Sequence, residues 1–342
     1  MKLVKLQLIP ITPIHVGTGE ELDPLGYTVH KGAVYLFNVR ALNRFFLEQD
    51  PLEWKRVLEQ GSLLAIRTHI YRHFDPEAIP HMKIRGAGKF LEEFVEKIAT
   101  DGNNQLLFHP LPRAGETAPA YLPGSSIKGA LRTALLSGLD HGRKPTRGER
   151  NWEFETLGAM NDRGRPDMTA DPFKCLGVPD LPLEAGSTIV RKATNTGKFG
   201  DGRSDLAFHV ESTAHNGLGK DFLKPEVAWE LDLRINDALI DRGTPDWIAD
   251  PAAWLKLCNA HAGDVLHHLG ERFAWLGESI EILREITETE GYALLRLGRF
   301  SGFFGVSDRH LRDLNQRHGG SVTLFGGGRK ILPGWLAVKI LE

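Results

Sequence analysis

A mid-chain stretch, YLPGSSIKGALRTALL (residues 121–136), combines residue types suited to holding anionic oxygen. Pro123-Gly124 makes a turn, and Ser125 or Ser126 is placed to cap the helix that follows by accepting a backbone N–H bond. Lys128 and Arg132 stand one helical turn apart and share a face. The helix start offers unpaired N–H groups and the positive dipole end. Two hydroxyls and two cations beside that end would cradle a phosphate. Gly129, Ala130 and Ala134 leave room for another backbone to come close. The same residues also read as an ordinary capped amphipathic helix, with Ile127, Leu131, Ala134 and Leu135 as its buried face. The GxxxxGK[ST] spacing of a nucleoside-triphosphate loop is absent.

Two further segments share this character. In TPIHVGTG (12–19), Gly17 and Gly19 follow a strand pattern and allow positive φ and close backbone approach. His15 could donate to a phosphate or act as a base, although a histidine beside a strand is more often packed and hydrogen-bonded. In FGGGRK (325–330), Gly326, Gly327 and Gly328 precede Arg329 and Lys330, so backbone amides and cations could meet a phosphate chain; a loose hairpin loop is the plainer reading. Other candidates are weaker. His69 and His73 have helical metal-ligand spacing but no HExxH and no third ligand, so a surface pair is expected and no metal or cofactor. GAGKF (86–90) lacks the third glycine of a dinucleotide fingerprint. No GxSxG occurs, and Cys175 and Cys258 lack a nucleophile's context.

Composition narrows the class. The chain has 342 residues, enough for two domains. Two cysteines without a CxxC argue against structural zinc and a disulfide framework, and suit a reducing, cytoplasmic setting. No signal peptide is read at the start, and no run approaches the ~20 apolar residues of a spanning helix. With 42 basic and 44 acidic residues the net charge is −2, unlike a typical nucleic-acid binder. The charge is unevenly spread. Residues 226–290 hold 5 Lys/Arg against 14 Asp/Glu, and residues 291–342 hold 8 against 3. A basic face is therefore compatible with a near-neutral total. The acidic stretch is a solvated face or a dock for a basic neighbour.

The elements that must position these segments follow from periodicity. Val4, Leu6 and Leu8 alternate with Lys5 and Gln7 as in a half-buried strand, and Val227, Trp229, Leu231, Leu233 and Ile235 repeat the pattern more strongly. Val34–Phe37, 293–297 and 336–341 also read as strands, and Ile189-Val190 opens a short one. Helices are expected over 40–48, 52–60, 89–99 and 251–276. Residues 138–185 read as a long loop or insertion, and 194–205 as a polar hairpin tip. Strands interleaved with helices suggest α+β units of the βαββαβ kind. A boundary near 215–225 gives an N-terminal domain, 1–220, with its insertion at about 138–185. The C-terminal domain, 221–342, carries the long helix.

Taken together, TPIHVGTG after a first strand, YLPGSSIKGALRTALL mid-chain and a Gly-rich loop near the C-terminus resemble the RAMP superfamily of CRISPR proteins. Order and length are most similar to the fifth Csm subunit of type III-A complexes, and DPFKCLGVPD (171–180) and LGRFSGF (297–303) fit that pattern. The resemblance implies two ferredoxin-like (RRM-like) domains and a non-catalytic subunit. Such a subunit caps the backbone filament near the guide 3′ end, supports guide-RNA maturation in antiviral defence and is not itself an enzyme. Its partners would be CRISPR guide RNA, other Csm subunits including the repeated backbone subunit, and target RNA through the guide, with no membrane. Carried over by motif, the RNA contacts are Gly17, Gly19, Ser125, Ser126, Lys128, Arg132, Gly326, Gly327, Gly328 and Arg329. Arg191 and Lys192 are added on charge alone. The alternatives are another type III RAMP subunit, or a RAMP endoribonuclease, either a slicer using Asp23 or a guide processor using His15. A purely structural spacer is a third reading. The expectation adopted is phosphate holding without sequence readout, with Asp23 structural.

Overall fold

In the computed structural model the residues described are 1–139, 151–197, 206–219, 221–240, 244–302, 304–306, 321–326 and 331–341. In chain order the strands are β1 (Lys2–Pro10), β2 (Tyr27–His30), β3 (Ala33–Phe37), β4 (His81–Gly86), β5 (Phe108–His109), β6 (Tyr121–Leu122), β7 (Leu176–Gly177), β8 (Leu181–Pro182), β9 (Thr188–Gly197), β10 (Leu206–Thr213), β11 (Trp229–Ile235), β12 (Tyr292–Arg296), β13 (Ser321–Phe325) and β14 (Trp335–Leu341). The helices are α1 (Val39–Gln49), α2 (Pro51–Glu59), α3 (Leu63–His73), α4 (Gly88–Lys97), α5 (Gly124–Leu139), α6 (Trp152–Thr156), α7 (Pro251–Arg272) and α8 (Gly277–Glu288). No described helix is long and apolar enough to cross a membrane.

The alternation in the first strand is used on both edges. β1 pairs antiparallel with β11, Leu6 opposite Leu231, and with β14, Leu8 opposite Val338. The sheet order is β12-β14-β1-β11-β7. Val4, Leu6 and Leu8 meet Ile127, Leu131 and Leu135 of α5 in one core, while Ile9 and Ile11 meet Val265 and Leu269 of α7, Phe273 just after it and Leu283 of α8 in another. Polar positions pair too: Lys5 lies opposite Asp232, and its Nζ is 3.4 Å from Glu230. β1 sits between two strands from the C-terminal third of the chain. Periodicity marks a strand's buried face but not its neighbours, and here the first strand pairs with the most distant ones.

The second sheet runs β2-β3-β4-β9-β10-β5, with β13 added against β9. Helices cover both faces. Phe90, Phe94 and Ile98 from α4 and its end pack on Tyr27, Val29, Val34 and Ile84. Leu42, Phe46, Trp54, Val57 and Ile70 from α1–α3 pack on Ala33, Tyr35 and Phe37. The starts of α1, α2 and α7 are capped by Asn38, Asp50 and Asp250, the last two followed by Pro51 and Pro251. Outside residues 138–185, seven elements lay beyond the sequence reading: α3, β4, β5, β6, β10, α8 and β13. The strand read at Ile189-Val190 runs on to Gly197. The long helix read to 276 stops at Arg272, followed by a short 3₁₀ turn. Within 138–185 the chain carries α6, β7, β8 and a 3₁₀ turn at Pro172–Cys175.

A buried ion pair joins the second sheet to the loop before β6. Glu211 on β10 is 0% exposed. Its carboxylate accepts from both terminal nitrogens of Arg113, from Leu111 N at 3.0 Å and from Thr188 Oγ1 at 2.6 Å. Such a pair adds little relative to an apolar core, but removing one partner strands a buried charge. Arg113→Ala is therefore expected to lower unfolding stability by about 3–5 kcal/mol in urea titration. A loss within experimental error would show that Glu211 is not held this way.

Candidate nucleic-acid interface

The loop after β1 is built around the peptide of His15. The imidazole is 1% exposed. Its Nδ1 lies 2.7 Å from Glu211 O, and because a carbonyl only accepts, Nδ1 carries the proton and donates. The ring stacks on Phe300 at 5.4 Å. Burial, with His109 and Arg299 nearby, pushes the His15 pKa down to about 4, so the ring is neutral at physiological pH. From the other side, Arg299 N donates to His15 O at 3.0 Å. Gly298 makes this approach feasible: its φ is +109°, and a Cβ there would lie 2.3 Å from His15 O. Gly17 is packed likewise, with Arg299 Cδ 3.0 Å from where a Cβ would stand. Gly19 has φ +87° with open space around it.

Helix α5 starts one residue earlier than a serine cap requires. Ser125 and Ser126 lie inside its first turn, and the backbone N–H of Gly124 is taken by Asp180 Oδ1 at 2.8 Å. Gly124 itself is needed for packing, since a Cβ would fall 2.1 Å from Val178 O. The two cations of this helix, expected to meet a phosphate, are held by the chain itself. Lys128 Nζ donates to Leu176 O at 2.7 Å, and burial lowers its pKa. Arg132 Nη1 lies 3.0 and 2.8 Å from the two oxygens of Asp171, and its guanidinium sits 5.0 Å over Phe173. Both cations thus fasten the DPFKCL segment onto α5, and the amphipathic reading of this helix accounts for them.

Arg191 and Lys192 lie on β9, away from α5. Lys192 Nζ is 3.4 Å from Glu93, which Lys97 and His209 also approach. Arg191 Nη1 is 3.5 Å from His215 Nε2, and burial pushes its pKa down to about 10. Gly326 has φ +115°, and its N–H donates to Lys192 O at 3.3 Å. Gly327, Gly328 and Arg329 lie outside the described residues. Asp23 Oδ1 accepts from Leu25 N at 3.0 Å and closes a local turn. Among the described residues no group of three or more His, Cys, Asp or Glu side chains is placed to hold a metal ion.

Three segments far apart in sequence enclose one cleft of about 420 Å³. Val16 and Gly17 form one side. Ser126, Gly129, Ala130 and Thr133 of α5 form the second. Arg296, Gly298, Arg299 and Ser301 form the third. Of the residues expected to bind, Gly17 and Ser126 line this cleft. Gly19, Ser125, Lys128, Arg132, Arg191, Lys192 and Gly326 do not. The cations that do line it, Arg296 and Arg299, were not among the expected contacts. Their signal was present in RLGRF, where two arginines bracket Gly298. Arg299 Nη1 also lies 3.4 Å from His109 Nδ1. A groove with glycine-opened backbone and arginine on one wall can take a ribose-phosphate strand through its charge, without reading bases.

Residues 8–175 match the family model of the RAMP superfamily. No curated protein sequence matches the chain. Among solved structures, a chain of the cryo-EM structure of a Csm–crRNA–target RNA ternary complex from a type III-A CRISPR-Cas system superposes with TM-score 0.63 at 15% identity, covering 99% of this chain and 100% of that one. The crystal structure of T. onnurineus Csm5 superposes with TM-score 0.56 at 16% identity, over 98% of this chain and 100% of that one. At such identities the likeness is one of fold.

The depressed His15 pKa has a sign that can be tested. As pH falls below the ordinary histidine value of 6.5, the unfolded chain takes up a proton that the folded one refuses until about pH 4. Stability is therefore lost across that window. His15→Gln, which retains a donor for Glu211 O, is expected to lose less. By pH 4 the difference in pH dependence between the two proteins should reach about 3 kcal/mol in chemical denaturation. Parallel pH profiles would show that His15 is not buried neutral.

Proposed function

This chain carries a RAMP-superfamily domain over residues 8–175, and on that premise we propose that it is a non-catalytic CRISPR-RNA-binding subunit of a type III-A (Csm) effector complex. In this reading it caps the backbone filament near the guide 3′ end and supports guide maturation. Its partners are the guide RNA, neighbouring Csm subunits including the repeated backbone subunit, and target RNA paired to the guide. The observation that carries the reading is the cleft itself. Three loops or helix faces meet there, two of them bearing motifs singled out for phosphate contact, and arginines supply the charge. The likeness in fold to a chain of an RNA-bound Csm complex supports it. In this reading the two ferredoxin-like units are assigned to the two sheets with their helices, which share β1 with strands from the C-terminal third.

The candidate nucleophile-activating groups fit a structural role better than a catalytic one. The His15 ring is buried, with Nδ1 committed to Glu211 O. Asp23 is tied into its own turn. A general base must reach the proton it abstracts, and neither side chain lines the cleft.

Purified protein titrated into labelled single-stranded RNAs of unrelated sequence tests this directly. Binding should be of similar strength for each RNA, weaken linearly on a log–log plot as salt rises, and leave the RNA intact with or without Mg²⁺. Absence of binding in dilute buffer would overturn the RNA-binding role. Cleavage abolished by His15→Ala or Asp23→Ala would overturn the non-catalytic one.

A further inference from the structure

The glycine loop after β1 has a second side. Gly17 lines the cleft, whereas Thr18 and Glu20 line a separate pocket of about 460 Å³, and no residue lines both. The pocket is walled by Leu22, Leu36, Phe37, Pro110, Leu111 and Pro112. Its backbone is held in place before anything binds. Leu111 N donates to the buried carboxylate of Glu211 at 3.0 Å, Leu22 N to Phe108 O at 2.9 Å and Tyr121 N to Pro112 O at 3.0 Å. Walls already ordered add no entropy cost when a partner arrives.

Val39 opens α1, lines the same pocket and is 50% exposed. A β-branched side chain is a poor choice for an exposed helix position, and an acidic one would suit the positive end of the helix. A single exposed valine needs no explanation by itself. This one extends an apolar pocket to the surface, and continuous apolar surface marks an interaction site.

The charge around the pocket says what kind of partner fits. Glu20 and Glu116 line it, are exposed and make no ion pair among the described residues. Glu116 accepts from the neutral amide of Asn38. Arg113, the cation that lines the pocket, is bound to Glu211. A phosphate strand is repelled by such a rim, and a lysine or arginine is drawn to it.

We propose that this pocket docks a segment of a partner protein that carries an aliphatic or aromatic side chain beside a lysine or arginine. The apolar group fills the space lined by Leu22, Phe37 and Val39, and the cation meets Glu20 and Glu116. An apolar anchor in a pocket with polar groups at its rim is the make-up of a protein-binding hot spot. The docking site lies across the loop from the cleft and does not rest on the RNA-binding role.

The test is anisotropy titration of full-length protein against short labelled peptides of equal length, with thermal unfolding of each variant in parallel. The first peptide holds Leu and Phe flanked by Lys and Arg. The second holds the same pair flanked by Glu. The third keeps Lys and Arg but has Ser in place of the apolar pair. The first is expected to bind at least about tenfold more tightly than either of the others. Val39→Glu places a charge on the pocket from a half-exposed position and should weaken the first peptide about tenfold, leaving affinity for a labelled oligouridine unchanged. Glu116→Lys should narrow or reverse the preference for the first peptide over the second. No binding of the first peptide at millimolar concentration, or equal binding of all peptides, overturns the proposal. So does a dimer in light scattering that Val39→Glu abolishes while no peptide binds, which assigns the pocket to a second copy of this chain. Loss of oligouridine binding in Val39→Glu while no peptide binds assigns it to RNA and overturns the proposal equally. Should Val39→Glu fail to fold, Glu116→Lys decides alone: a narrowed or reversed preference supports the docking site, and an unchanged one overturns it. Wild-type protein that binds the first peptide but not the oligouridine would keep this site and remove the RNA-binding role.

Discussion

The cleft depends on one residue, His15, held from two sides. The imidazole of His15 donates to Glu211 O in the second sheet, and the carbonyl of the same residue accepts from Arg299 N beyond β12 of the first. Gly298 has to be a glycine for the second bond to form, since any Cβ would overlap the His15 carbonyl. Glu211 is in turn immobilised by its buried pairing with Arg113. The first glycine loop and the arginine-bearing segment thus have little freedom relative to one another. Preorganisation of this kind matters for a surface that grips a flexible strand, because side chains and loops already ordered add no entropy cost on binding.

The distribution of charge follows the same logic. A protein of net charge −2 cannot rely on a broad positive field to collect RNA. Several of its cations are committed internally: Lys128 and Arg132 to the DPFKCL segment, Lys192 to Glu93, Arg113 to Glu211. What remains at the cleft is local: arginines set beside glycine backbone, with no carboxylate in a salt bridge to Arg296 among the described residues. Under the proposed RNA-binding role, affinity at such a site comes from a small number of phosphate contacts, and its log–log salt slope should be correspondingly shallow.

Much of the architecture was legible in the residues. Alternation in β1, β11 and β14 and the apolar stripes of α1, α2, α4 and α7 located those elements to within a few residues. The glycine loop at 17–19 and the helix at 121–136 were legible as local structure, because Gly-rich turns and a turn-to-helix junction have a local signature; that both line one cleft was not. What pairs with what was not legible. Nothing local to Lys2–Pro10 says that its neighbours are Trp229–Ile235 and Trp335–Leu341. For the same reason the internal partners of the cations were not legible. Lys128 and Arg132 share a helix face with Ser125 in sequence terms, but which face meets the DPFKCL segment is decided by tertiary packing. Arg296 was hidden for the opposite reason: within YALLR it reads as the polar end of an apolar strand, and only the assembled sheet shows a buried guanidinium with unused donors.

The central claim is that RNA lies where Val16–Gly19, the first two turns of α5 and residues 296–302 converge. Hydrogen–deuterium exchange of the full chain with and without saturating single-stranded RNA addresses it most directly. Backbone amides of those three segments should slow together on RNA addition, while the helical face of α1–α3 stays unchanged. Slowing confined to α1–α3 or to the β9–β10 strands, with the three cleft segments unaffected, would contradict it.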